Sequence, residues 1–177
     1  MQIIKSIPGC EFIAPGTAKQ FLQLFEQTYR NGHPTFFRIS DHPNVKYDED
    51  VTFGKANVLQ KGQKATIIAV SVMLDAVMDV CKGKDVTVLH YTTLEPFDRE
   101  TLAQNCPSGK VLIVEPEYEG SLLFDVHKAL AGRAIRVEHV AFPREIFRNY
   151  GTYNEKMEHY GLTPDKIHEV LERLCAE

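Results

Sequence analysis

Arg38 is the residue whose type and setting point most directly to chemistry. It follows the aromatic run Thr35-Phe36-Phe37 and precedes Ser40 and His42, in the C-terminal half of a segment with the makeup of a strand. A guanidinium presents a planar fork of N–H groups that matches phosphate or carboxylate, so an arginine there suits an anionic substrate. The residues alone leave equal room for an ion pair with an acid such as Asp41 at the strand edge. Glu115 and Glu117 form a second group, after the apolar run VLIV (111–114) and before Gly120. Two carboxylates so placed suit acid–base work, and a loop that docks a partner explains them equally well. Of the seven histidines, His90 ends one apolar run and His139 lies within another. Open α/β sheets place ligands at such strand ends. His33, His42, His127, His159 and His168 are scattered, and for each histidine taken alone a structural or surface role outweighs a ligand role.

Motif chemistry is otherwise absent from the sequence. It holds no GxGxxG, P-loop, GxSxG or HExxH, and no cluster with metal-ligand spacing. No catalytic, cofactor-binding or metal-ligating residue is therefore assigned; Arg38 is the single candidate, as a substrate-binding residue. A net charge of −4 without any Lys/Arg-rich run argues against nucleic acid as a partner. No apolar stretch is long enough for a membrane span or signal peptide. Cys10, Cys81, Cys106 and Cys175 are widely spaced, with no CxxC, and read as reduced, mostly buried thiols. The expected compartment is the cytoplasm.

The elements that must position these residues alternate between strand and helix patterns. The runs ATIIAV (65–70), VTVLHY (86–91) and VLIV (111–114) are short, rich in β-branched residues and continuously apolar. Such runs are the mark of parallel strands buried on both faces, and helix-patterned segments separate them. The reading is α/β, a three-layer α/β/α arrangement around a mostly parallel sheet with a mixed edge. Within it we expect strands at 12–14, 35–39, 56–58, 65–70, 86–91, 111–114 and 135–140. Helices are expected after Thr17, with Gln20 completing a capping box, and at 72–82, 98–105 (capped by Asp98) and 121–131. A final helix has Thr163 as its N-cap and Pro164 at its first position, with Ile167, Val170, Leu171 and Leu174 as the buried stripe. The polar stretch around SDHPNVKYDED (40–50) reads as a solvated linker. Residues 1–42 then read as the tail of a preceding α/β unit, 43–52 as the linker and 53–177 as the second domain. A unit that starts with half its sheet missing leaves apolar surface around Phe12, Phe36 and Phe37. Met1 is then expected to be an internal position of a longer enzyme, or another chain to supply the rest.

The order and wording of these segments resemble the transketolase family of thiamine-diphosphate enzymes. IPGCEFIAPG (7–16) and PTFFRI (34–39) are similar to the last parts of the family's pyrimidine-binding domain. Residues 54–68 resemble the opening of its C-terminal domain, and TTLEPFD (92–98), VLIVEPEYEG (111–120) and HYGLTPDKI (159–167) resemble later elements of it, in order. The pattern is shared with deoxyxylulose-phosphate synthases and the β subunits of 2-oxoacid dehydrogenases. One departure stands out: the family has two glycines before the helix that follows the Glu element, and here Gly120 is followed by Ser121.

The resemblance implies ketol transfer between sugar phosphates by the full enzyme, with thiamine diphosphate and magnesium held by parts outside these residues and none bound by this piece. It also implies that Arg38 matches the family's arginine at the end of the pyrimidine domain, which holds the substrate's phosphate in sugar-phosphate members. Expected partners are a second copy in a homodimer, a separate N-terminal subunit, or both. The alternative of another class is a non-catalytic dimerisation or docking module.

Overall fold

The computed structural model describes residues 2–148 and 150–176. Two sheets share the chain. The smaller is built from β1 (Glu11–Ile13), β2 (Thr35–Phe37) and β6 (Thr93–Glu95), in the order β2-β1-β6. The larger contains β3 (Asn57–Gln60), β4 (Thr66–Val70), β5 (Thr87–Tyr91), β7 (Lys110–Tyr118) and β8 (Arg136–Phe142), in the order β3-β5-β4-β7-β8. Every pairing in the larger sheet is parallel except β3 with β5, so the mixed edge is β3.

Burial explains the continuous apolar runs. Ile67 and Ala69 face a core lined by α3 (Leu74–Cys81) and α7 (Pro164–Ala176), whereas Ile68 and Val70 face α4 (Arg99–Gln104) and α5 (Leu123–Ala129). Both isoleucines are fully buried, and each such side chain contributes about 1.5–3 kcal/mol relative to exposure. This is the α/β/α layering expected. In α7, Ile167, Val170, Leu171 and Leu174 are the buried stripe the sequence pattern predicts, and Thr163 Oγ1 accepts the Lys166 N–H at 3.3 Å. Asp98 caps α4 as expected, accepting from Thr101 N at 3.1 Å. Gly62 is required by close approach, because a Cβ there would lie 2.2 Å from Val86 N.

Several elements differ from the pattern reading, each for a physical reason. Thr17 caps α2 (Ala18–Thr28) by accepting from Gln20 N. The Gln20 side chain, however, accepts the Gly16 N–H at 2.9 Å, so the capping box is only half made. Strand β6 was not expected; Thr92–Glu95 crosses from the large sheet to pair antiparallel with β1, stitching the two sheets together. Strand β7 runs on through Tyr118, so Glu115 and Glu117 belong to it and not to the loop after it. Helices α1 (Gln2–Lys5) and α6 (Tyr153–His159) were also not expected.

Residues 43–52 carry no helix or strand, yet they are tied down and only partly solvated. Asn44 and Val51 are buried. The Asp75 carboxylate accepts backbone N–H groups of Val45, Lys46 and Tyr47. From α2, the amides of Gln20, Gln23 and Gln27 reach the backbone of Glu49, Val51 and Phe53. Phe12 is also buried, stacked on Phe36 with ring centroids 5.3 Å apart, which leaves Phe36 as the exposed aromatic at the β2 edge.

Candidate functional site

Arg38 is positioned by the small sheet. Its backbone N–H bonds to Ile13 O at 2.8 Å, extending the β1–β2 ladder one residue past Phe37. From there the side chain crosses to the large sheet and ion-pairs through Nη1 with Glu117. The acid at the strand edge, Asp41, turns instead to His42 Nδ1 at 2.7 Å. A cavity of about 210 Å³ opens beside the pair, lined among others by Ala14, Arg38, Ser40, Ser71, Pro116 and Tyr153. It lies at the C-terminal ends of β1, β4 and β7, where open parallel sheets meet ligands. The Arg38 side chain remains about 41% exposed and lines the cavity, whereas that of Glu117 is about 10% exposed and does not.

Behind this pair lies a more deeply buried group. Glu115 is fully buried, and burial pushes its carboxyl up to about 7 against hydrogen bonds from the Ser121 hydroxyl and backbone and the charges of Lys5 and Arg38. Among the described residues its Oε1 has no hydrogen-bond partner, and neither has His139 Nδ1, 4.0 Å away across β7–β8. Burial also pulls the His139 imidazole below its ordinary value. The serine that departs from the family's glycine pair acts at this point. Gly120 takes a left-handed φ of 81° at the turn, and Ser121, where the family's second glycine would be, donates to Glu115.

His90 sits on the other side of Ser71. Its Nδ1 bonds to Glu49, from the connecting segment, and its Nε2 lies 2.9 Å from Ser71 O. Ser71 adopts a φ of 55°, a left-handed conformation that costs a non-glycine residue roughly 1–3 kcal/mol. Three contacts hold it there: its hydroxyl donates to Pro15 O at 3.0 Å, and its carbonyl accepts from His90 and from Asn44 Nδ2 at 3.0 Å. The fixed turn sets one wall of the cavity.

Of the residues singled out from sequence, the fold thus gathers Arg38, Glu117, Glu115 and His139 into one group, with His90 adjacent through Ser71. His33, His127 and His168 are exposed elsewhere. His42 lies outside the group as well, stacked on Tyr153 with centroids 4.2 Å apart. Sequence reading missed Ser71, Tyr153 and Glu49, and noted Ser121 only as a departure from the family's glycine pair. A signal existed for Tyr153: Thr152 and Glu155 form a complete capping box that announces α6. Nothing in the local sequence marks Ser71 as left-handed. Among the described residues no three His, Cys, Asp or Glu side chains converge as a metal-ligating set. All four cysteines are free thiols, with Cys10, Cys81 and Cys106 buried.

Comparison with known proteins bears on the fold and the family. The family model for the transketolase C-terminal domain matches residues 54–167. The 6-deoxy-6-sulfo-D-fructose transketolase subunit SqwH of Clostridium sp. (strain MSTE9) is 27% identical over 98% of this chain and 58% of its own length. An apulose-4-phosphate transketolase subunit of Phocaeicola vulgatus is 27% identical over 93% of this chain and 56% of its own. The chain thus spans a little over half the length of these relatives. A solved structure described as a split-gene transketolase, inactive beta4 tetramer, superposes with a TM-score of 0.84 at 23% identity, covering 98% of this chain and 60% of that one. With the expected architecture, the ordered motifs and the family match in agreement, the chain belongs to the transketolase family through its C-terminal domain.

Proposed function

We propose that this chain is the C-terminal part, or a separate C-terminal subunit, of a transketolase-type enzyme that moves a two-carbon ketol unit between sugar phosphates. Residues 1–42 close the pyrimidine-binding domain, 43–52 connect, and 53–177 form the C-terminal domain. Thiamine diphosphate, with magnesium, supplies the carbon–carbon bond chemistry and is held by the part of the enzyme outside this chain. This chain contributes assembly and, through Arg38, part of the site for the substrate's phosphate. The reading places the working enzyme in the cytoplasm.

The observation that carries the proposal is Arg38 itself: an arginine lining a cavity at the C-terminal ends of parallel strands, with its backbone fixed in a β ladder. The names of both cited relatives support it, since each specifies a ketose bearing an anionic group, a sulfonate in one and a phosphate in the other. Assembly is supported by the free edge of β2 and by Phe36, about 42% exposed beside it. Covering such apolar surface contributes about 25 cal/mol per Å². The covering partner is an N-terminal subunit, a second copy, or both.

Kinetics of the reconstituted enzyme test the reading. Arg38→Ala removes a charge-assisted contact worth roughly 1.5–3 kcal/mol, about ten- to a hundredfold in kcat/KM. The loss is expected for phosphorylated substrates and not for their unphosphorylated analogues, and Arg38→Lys recovers only part of it because an ammonium lacks the fork. Equal losses on both substrates would sink the phosphate role. A chain that only docks a partner would show weakened association in Arg38→Ala with kinetics unchanged at saturating partner.

A further inference from the structure

Glu117 holds one end of the Arg38 guanidinium fork. Its carboxylate is almost wholly buried in β7, and it pairs with Nη1 of Arg38, the residue proposed for the substrate's phosphate. Asp41 also lines the cavity but pairs with His42 Nδ1 at 2.7 Å, and the hydroxyls of Ser40 and Ser71 carry no charge. Carboxylates and phosphates use the same guanidinium edges, so a resident carboxylate and a bound phosphate exclude one another on a shared edge. We infer that Glu117 is a built-in competitor for the Arg38 fork, holding it in place between substrates and yielding to a dianionic phosphoryl group. This inference rests on the anion-binding reading of Arg38.

The consequence is selectivity. A singly charged carboxylate on a substrate offers Arg38 nothing that Glu117 does not already provide, and Glu117 is tethered and partly desolvated. A phosphate dianion carries about twice the charge and an additional acceptor oxygen. It displaces Glu117 where a carboxylate does not, and the cavity of about 210 Å³ lined by Arg38 and Pro116 gives the group room. Affinity for phosphate is thereby held down, which favours release of the phosphorylated product.

Calorimetric titration of the purified full chain with inorganic phosphate tests the inference, using wild type, Glu117→Gln, Arg38→Ala and Glu119→Gln. Glu119 is an exposed acid two residues further on, so its variant controls for simple loss of negative charge. We expect Glu117→Gln to bind phosphate about tenfold or more tighter than wild type, Glu119→Gln to match wild type, and Arg38→Ala to lose binding. Acetate is expected to bind Glu117→Gln measurably and wild type not at all. If Glu117→Gln only equals Glu119→Gln while Arg38→Ala is inert, the competitor role is overturned and the anion site stands. If Arg38→Ala binds phosphate like wild type, or if neither wild type nor Glu117→Gln binds it, the anion reading falls and the competitor role with it. Should Glu117→Gln fail to fold, Glu117→Asp, which withdraws the carboxylate by one methylene, is expected to show a smaller tightening. Its absence overturns the competitor role.

Discussion

Two histidine–glutamate pairs stand at the C-terminal side of the large sheet, and they are built in opposite ways. His90 and Glu49 are in hydrogen-bond contact, and the second ring nitrogen of His90 is bonded to Ser71 O at 2.9 Å. His139 and Glu115 stop 4.0 Å apart, with neither facing atom hydrogen-bonded among the described residues. The electrostatic outcomes diverge accordingly. Burial raises the Glu49 carboxyl, but the hydrogen bond and charge of His90, with Lys19, overcome it and hold the group below its ordinary value. Burial raises the Glu115 carboxyl too, and there it prevails, to about 7. The same two residue types thus give a closed latch in one place and a near-neutral buried acid in the other. Glu115 is wholly buried and Glu49 only partly so, and depth of burial together with the distance across the pair decides whether pairing or desolvation wins.

Breaking the closed pair is expected to have the largest effect. His90→Ala leaves a partly buried carboxylate unpaired, and removing one member of a buried pair costs about 3–5 kcal/mol. For a chain of this size that corresponds to a fall of about 10 °C in Tm, measured by thermal unfolding at pH 7. A fall of about 1 °C or less would show that the latch is not closed in solution. The acid side of the stability curve provides a second readout. A carboxyl held below its unfolded value adds stability at higher pH that is lost as pH falls through the folded value. The His90 variant is therefore expected to lose less stability on acidification than wild type.

The open pair predicts the reverse pH dependence. Glu115 is raised from 4.5 to about 7, so the folded chain keeps a proton that the unfolded chain has released across that window. Its contribution is fully present below the unfolded value and is lost as pH rises through the folded one, by about 3 kcal/mol in all. Glu115→Gln carries no such penalty. Urea unfolding should find it near wild type at pH 4 and more stable than wild type at pH 8. Equal stability differences at the two pH values would show that Glu115 is not held neutral by the fold.

How much of this was legible in the sequence divides along the line between periodicity and long-range contact. The layers of the large sheet, the α7 stripe and the Asp98 cap follow from apolar period and cap chemistry, which are local. Arg38 was visible because a guanidinium after an aromatic strand is locally unusual. Its partner was not: Asp41 is the near acid in sequence, and the fold chose Glu117 because β7 runs past Val114 and brings the carboxylate across. The Glu49–His90 latch was hidden for the same reason, since a polar connecting segment reads as solvated until the glutamines of α2 and the carboxylate of Asp75 are seen to hold its backbone. Strand β6 escaped because three residues with a Pro beside them carry too little period to register.

The smallest expected effect is the sharpest test of the comparison. If His139 and Glu115 are electrostatically separate, removing the imidazole should leave the Glu115 titration where it is. Neighbouring charges on His139 are those of Glu119 and Glu138, and Glu115 owes its raised value to burial in the space beneath Ser121. His139→Gln keeps most of the volume on an edge strand and takes away a nitrogen that has no partner. Its cost is expected at about 0.5–1 kcal/mol, within the ordinary range for a half-buried polar substitution. Carboxyl NMR across pH 5 to 9 should place the Glu115 midpoint in the variant within a few tenths of wild type, because at 4.0 Å there is no hydrogen bond to lose. In His90→Ala, by contrast, the Glu49 midpoint should move upward, since burial then acts on that carboxyl without its partner. A Glu115 midpoint that moved by a full unit on removing His139 would mean that the gap is bridged in solution. The two pairs would then differ in how the contact is made and not in whether it is made.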